Sequence, residues 1–191
     1  KGCNVMAEAS KRGAIASVAL LLLLTGCLFS PKSTEEPPEP LYYEPADSAW
    51  KVVMNLQLAY VNRDHAQYMK CFRQDFEFHL LEVDWDDYDG DGIVDEYWGY
   101  DIEDLSSQNM FNATEQIELT LTGNAIHPWM GDSTGGNWAL PRTFDLKVYT
   151  SLGSPSEPPQ GFRASGQAIF ICRLDDEGEW YIWLWFDESD V

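Results

Sequence analysis

The stretch Asp87-Tyr88-Asp89-Gly90-Asp91-Gly92-Ile93-Val94-Asp95 carries the densest chemistry in the chain. Its aspartates recur at alternate positions, which sends their carboxylates toward one cavity, and a hard cation such as Ca2+ takes about six to eight oxygens. The spacing fits the first nine places of a calcium loop. Asp87, Asp89 and Asp91 stand at places 1, 3 and 5. Gly92 makes the sharp turn of place 6, Ile93 offers its carbonyl at place 7, and Asp95 holds place 9. Place 12 ordinarily holds a bidentate acid and here is Trp98, so Glu96 or Asp101 has to close the shell along another backbone path. Binding in the range of roughly 10⁻⁴–10⁻³ M is expected, the ion pinning a loop whose carboxylates otherwise repel. The alternative is a solvated acidic turn, which Asp and Gly favour by themselves.

A second chemical feature lies near the start. Lys11 and Arg12 precede an apolar run, Ala14 to Leu24, that ends in five leucines, and Leu24-Thr25-Gly26-Cys27 follows at once. A basic end, a short apolar core and small residues before a cleavage point form the secretory pattern. The run is shorter than the roughly 20 residues a spanning helix needs. The tetrapeptide resembles the bacterial lipobox, which implies cleavage before Cys27, acylation of that cysteine and two lipid chains, enough for stable anchoring. Leu28 is not the aspartate that resembles an inner-membrane retention signal, so a cell-envelope location is expected, with the outer membrane favoured where there is one. Met6 is a plausible start codon, which leaves Cys3 without meaning. The acidic string in turn resembles EF-hand, dockerin and thrombospondin type 3 calcium loops, in a single copy.

Removal of residues 1–26 takes three basic residues and one acidic residue with it. The remaining 165 residues (191 less 26) hold 9 basic and 31 acidic side chains, a formal charge of −22. That surface repels nucleic acid and anionic headgroups. Cys71 and Cys172 both sit in apolar patterns, where a free cysteine packs as a small hydrophobe; an exported compartment also permits a disulfide between them. His65, His79 and His127 have no partners at metal-ligand spacing. Nucleophile-elbow, phosphate-loop and Cys-x-x-Cys patterns are absent from the sequence.

Three organisational segments must position these groups: the signal peptide 1–26, a lipidated and Pro/Glu-rich tether 27–45, and one domain, 46–191, with an acidic insert at 84–98. Five prolines, four of them interleaved with glutamates, favour an extended tether. Asp47 or Ser48 caps a helix through Val61, with Trp50, Val53, Leu56 (or Gln57) and Tyr60 on its buried face. Asp64 caps a second helix through Phe72, and Asp75 to Val83 reads as a strand. Ile102 to Met110 reads as a third helix capped by Asp101. Alternation then predicts strands around Ile117–Leu121, Phe144–Val148, 163–174 and Trp180–Phe186, with long loops at 124–141 and 151–161. Helices followed by antiparallel strands indicate an α+β domain. In the last strand, strict alternation puts Tyr181, Trp183 and Trp185 on one face, the candidate wall of a pocket, and Trp180, Ile182, Leu184 and Phe186 on the other.

This order resembles the nuclear transport factor 2-like (SnoaL-like, cystatin-type) cone. The likeness is carried by Leu58-Ala59-Tyr60-Val61-Asn62-Arg63-Asp64, by Tyr68-Met69-Lys70-Cys71-Phe72 leading into Asp75-Phe76-Glu77-Phe78, and by Gly178 to Asp187. It implies helices packed on a curved antiparallel sheet. The expectation for function is a non-catalytic, membrane-anchored domain that binds a small ligand or an envelope protein. Two alternatives stand beside it: a lyase or isomerase working in the cone pocket, and a structural component of the envelope.

Overall fold

The apolar spacing after the proline-rich stretch winds into helix α1 (Ala49–Asn62) in a computed structural model that describes residues 41–129, 136–154 and 156–189. The expected signal peptide, Cys27 and most of the expected tether lie outside the described residues. The buried face of α1 is Ala49, Val52, Val53, Leu56, Ala59 and Tyr60. Trp50, expected on that face, is 42% exposed, because it shares the flank of Val53 and Gln57 rather than the centre formed by Val52, Leu56 and Ala59. Arg63 ends α1 in the left-handed region, and the Asp64 carboxylate accepts the Gln67 N–H at 3.1 Å to start α2 (His65–Met69).

Helix α2 is shorter than expected, since Phe72 already belongs to strand β1 (Phe72–His79). The chain then makes a single 3₁₀ turn at Glu82–Asp84, crosses the acidic segment and returns as β2 (Tyr97–Gly99), antiparallel to β1. Helix α3 (Tyr100–Ala113) starts from Gly99 rather than Asp101, which falls in its first turn. Strands β3 (Gln116–Thr122), β4 (His127–Pro128), β5 (Trp138–Ser151), β6 (Gln160–Leu174) and β7 (Trp180–Ser189) complete the described elements. The segment expected as a loop at 124–141 thus supplies β4 and the start of β5, which pair with each other.

The sheet order is β2-β1-β7-β6-β5-β3, with β4 on β5. Every pair is antiparallel except β1 with β7, which brings the first strand back beside the last. The helices pack on one face of this sheet. Leu56, Leu140, Phe170 and Ile182 are fully buried there, each contributing about 1.5–3 kcal/mol by leaving water.

A bulge in β7 changes which residues face the helices. Ile171 pairs with Leu184 and Cys172 with Ile182, so Trp183 is an extra residue that reverses the alternation. Ile182 and Trp185 both lie toward the helices, while Trp183, Leu184 and Phe186 pack on the opposite face with Ile171 and Ile169. The strictly alternating sets expected from the sequence therefore exchange members at Trp183. Cys71 and Cys172 are buried free thiols, donating weakly to the α1 carbonyls of Val52 and Ala49 at 3.8 and 3.9 Å. They form no disulfide bridge in this structure. Burial pushes the Cys71 thiol up to about 12 and raises that of Cys172 as well.

Candidate functional site

Between the helices and the concave face of the sheet lies a cavity of about 270 Å³. Its walls are mostly apolar, with Leu56 from α1, Phe144 and Leu146 from β5, Phe170 from β6 and Trp185 from β7. An apolar cavity of about 150 Å³ suffices for benzene, so this one accommodates a substituted ring. The aromatic wall is closely packed. Phe78 stacks on Trp98 with centroids 4.6 Å apart, and Trp185 sits 5.0 Å from Phe78 and 4.8 Å from Phe170.

Into this apolar space α3 delivers Glu103, only 6% exposed. Glu103 shares one side of the helix with Ser107 and Phe111 at i, i+4 and i+8, the face that turns inward. Each of its oxygens is held. The Tyr68 hydroxyl donates to Oε1 at 2.6 Å and the Trp98 Nε1–H to Oε2 at 2.8 Å. Burial raises the Glu103 pKa above the usual carboxylate range, against the opposite pull of these two donors and of His65. The same burial, with the Glu103 charge beside it, raises Tyr68 well above the ordinary phenol range, so Tyr68 stays a proton donor.

A second carboxyl reaches the cavity from the sheet. Asp187 on β7 is half-buried, and its pKa is also raised, first by burial. The backbone N–H and the hydroxyl of Ser189 donate to its two oxygens at 2.9 and 3.3 Å. Two carboxyls with an enhanced hold on the proton therefore line one apolar cavity, the arrangement general acid–base chemistry uses.

Of the residues expected to wall a pocket, only Trp185 lines this cavity. Tyr181 instead donates its hydroxyl to Asp75 at 3.0 Å, and Trp183 lies under the Arg173 guanidinium at 3.5 Å. The Trp183 bulge is the physical cause. Glu103, Tyr68 and Asp187 were not singled out as site residues by sequence reasoning. The 103/107/111 spacing was the available signal for Glu103, an acid on the apolar side of a helix.

The acidic segment keeps part of its expected geometry. Carboxylate oxygens of Asp87, Asp89 and Asp95 lie within 4.8 Å of one another, a separation compatible with shared coordination at Ca–O distances of about 2.3–2.6 Å. Asp91 and Glu96 are not in this cluster; Asp91 accepts the Ile93 N–H at 2.8 Å, and the Glu96 carbonyl accepts the Leu80 N–H at 3.0 Å. The Ile93 side chain is exposed. Asp87 organises the turn by accepting from Gly90 and Gly92, both at positive φ. Trp98, at place 12, is committed to Glu103. Asp87, Asp89 and Asp95 would be the side-chain ligands of a hard divalent cation held in this loop. His79 pairs with Glu77 at 3.0 Å and stacks on Phe186.

No family model and no curated protein matches the chain. Solved structures do match in fold. A proposed aromatic ring hydroxylase from Novosphingobium aromaticivorans is 15% identical, with a TM-score of 0.51 over 79% of this chain and 91% of that one. A proposed scytalone dehydratase from the same organism is 8% identical, with a TM-score of 0.52 over 74% and 81%. A nuclear transport factor 2-like superfamily protein from Salmonella enterica is 9% identical, with a TM-score of 0.51 over 73% and 85%. Neighbours assigned to enzymes correct the expectation of a non-catalytic domain. At these identities the likeness establishes architecture: the domain has the α+β cone fold of nuclear transport factor 2-like proteins.

Proposed function

We propose that the cone is an enzyme of the lyase or isomerase kind, transferring protons on a small, ring-sized apolar substrate. Glu103 carries the reading. It is a buried carboxyl in an apolar cavity, fixed by donors on both oxygens and holding its proton more tightly than a carboxyl in water. Such a group, once ionised, is a stronger base than an exposed one. In a dehydration Glu103 takes the proton from the carbon beside the substrate carbonyl. The C–H electron pair becomes the new C=C bond, and the hydroxyl on the next carbon leaves with the proton of the Asp187 carboxylic acid, as water. Glu103 ends protonated and Asp187 ionised, and exchange with solvent resets both. In an isomerisation Glu103 returns its proton to another carbon. The solved neighbours assigned as a dehydratase and an aromatic ring hydroxylase support a cyclic substrate.

The basic end, the short apolar run and the Leu24–Cys27 tetrapeptide support export and lipid anchoring through Cys27. The Asp87, Asp89 and Asp95 cluster supports a structural calcium ion in the loop that leads into Trp98.

The test requires no prior substrate. Small cyclic ketones are incubated with the protein in D2O, and deuterium uptake beside the carbonyl is followed by NMR. Catalysed exchange that Glu103→Gln abolishes, while the variant still binds the ketone, is the expected result. Ketone binding without exchange in the unsubstituted protein would remove Glu103 from catalysis.

A further inference from the structure

A second concavity, of about 290 Å³, lies beside α1 on the outer flank that Trp50 and Met54 leave exposed. At its base is Arg142, from the inward-facing row of β5 between Leu140 and Phe144, and only 8% exposed. Nη1 spends its two N–H bonds on the carbonyls of Ala125 at 3.0 Å and Pro141 at 2.8 Å. Those bonds fix the plane of the guanidinium. The group has five N–H donors, and no other hydrogen bond or ion pair is found for it among the described residues. Nε and Nη2 are therefore left with three donors, on the edge that accepts a carboxylate through two parallel bonds.

A buried cation is ordinarily paired, and this one, in a chain of formal charge −20, has no carboxylate partner among the described residues. Most of the wall around it is apolar, from Trp50, Met54, Leu121 and Ile126, with Gln57 and Asn124 as its uncharged polar members. Trp50 and Ile126 continue into an adjoining hollow that contains Ser48, whose buried Oγ has no hydrogen-bond partner.

We infer that this groove binds a small organic carboxylate with an apolar tail, its head paired to Arg142 Nε and Nη2 and its tail lying along Trp50 and Ile126. The charge selects the head group, and the groove's modest volume selects a small molecule over a peptide. The site is separate from the Glu103 cavity and does not depend on the reaction proposed there.

Titration of the full chain with decanoate and, in parallel, with decanol tests the inference by calorimetry. Decanoate is expected to bind at least tenfold more tightly. Arg142→Met, which keeps an unbranched apolar stem and removes the charge, is expected to erase that preference, and Trp50→Ala to weaken both ligands. Equal affinity for acid and alcohol, or an unchanged preference in Arg142→Met, would overturn the site. Trp50 is exposed, so its replacement leaves the core intact and keeps the test decisive should Arg142→Met fold poorly. In that case, decanoate binding untouched by Trp50→Ala overturns the inference.

Discussion

Trp98 donates its indole N–H to Glu103 Oε2 at 2.8 Å while its ring stacks on Phe78 at 4.6 Å. The residue at place 12 of the acidic loop is thus a structural part of the cavity. It cannot be the bidentate acid that a complete calcium loop carries there, because its position on β2 is spent on fixing the cavity's buried carboxyl.

Trp98→Phe keeps an aromatic ring against Phe78, gives up part of the indole's area and removes the N–H donor. One of the hydrogen bonds that lowers the Glu103 pKa is then lost, so that pKa is expected to rise further. Carbon-13 NMR of the Glu103 carboxyl against pH checks this. An unchanged or lowered midpoint would mean that Trp98 does not set the proton affinity of Glu103.

Glu103 also determines a slope of stability against pH. Its folded pKa is raised, so its contribution to stability is complete below the unfolded glutamate pKa, near 4.3, and declines as pH rises through the folded value. Glu103→Gln has no such proton to lose. Relative to the variant, the unsubstituted protein is expected to lose Tm between the ordinary glutamate range and the raised pKa of Glu103. A constant Tm offset, hydrogen bonds having been rearranged equally at every pH, would show that Glu103 is not desolvated in solution.

Helix α1 and strand β3 were the most legible elements because their burial follows a simple period, whereas consecutive residues are buried at Ala139–Leu140 in β5 and Phe170–Cys172 in β6. The Leu56 face and the Ile117/Leu119/Leu121 alternation can be read directly from residue type. The cavity was less legible. Its aromatic wall depends on one extra residue, Trp183, and alternation has no means of detecting a bulge that is set by pairing with Ile171 and Cys172. Glu103 was hidden for another reason. A charged residue on an inward helical face reads as a break in the apolar pattern until its partners, Tyr68 and Trp98, arrive from distant elements. The acidic loop lies between these cases, since spacing brought Asp87, Asp89 and Asp95 together but misplaced Asp91 and Glu96.

Cys71 and Cys172 give a simple reading of core integrity. Both thiols are buried and disfavoured as thiolates, with Cys71 pushed up to about 12, and the thiolate is the reactive form. Residues 28–191 are expected to react with a chromogenic disulfide reagent only after denaturation, then to release two equivalents. Rapid reaction in native buffer would contradict the burial, and no reaction after denaturation would reveal a disulfide.

Calcium binding to the acidic loop is expected to be weak, on the order of 10⁻⁴–10⁻³ M, because three side-chain carboxylates replace the fuller set the spacing first implied. At 10 times Kd, binding to the folded state alone adds about 1.4 kcal/mol, a Tm rise of a few degrees for a domain this size. Asp89→Asn combined with Asp95→Asn keeps one oxygen for each of the Asp91 and Tyr88 N–H groups that these side chains accept and removes two charges. The variant should therefore retain the loop's turn, lose the calcium-dependent shift and melt at least as high as the unsubstituted protein without the ion, since two repelling carboxylates are gone. A lower melting point without calcium would mean that the aspartates hold the loop through hydrogen bonds that asparagine fails to replace. A calcium shift that survives both substitutions would place the ion elsewhere on the acidic surface.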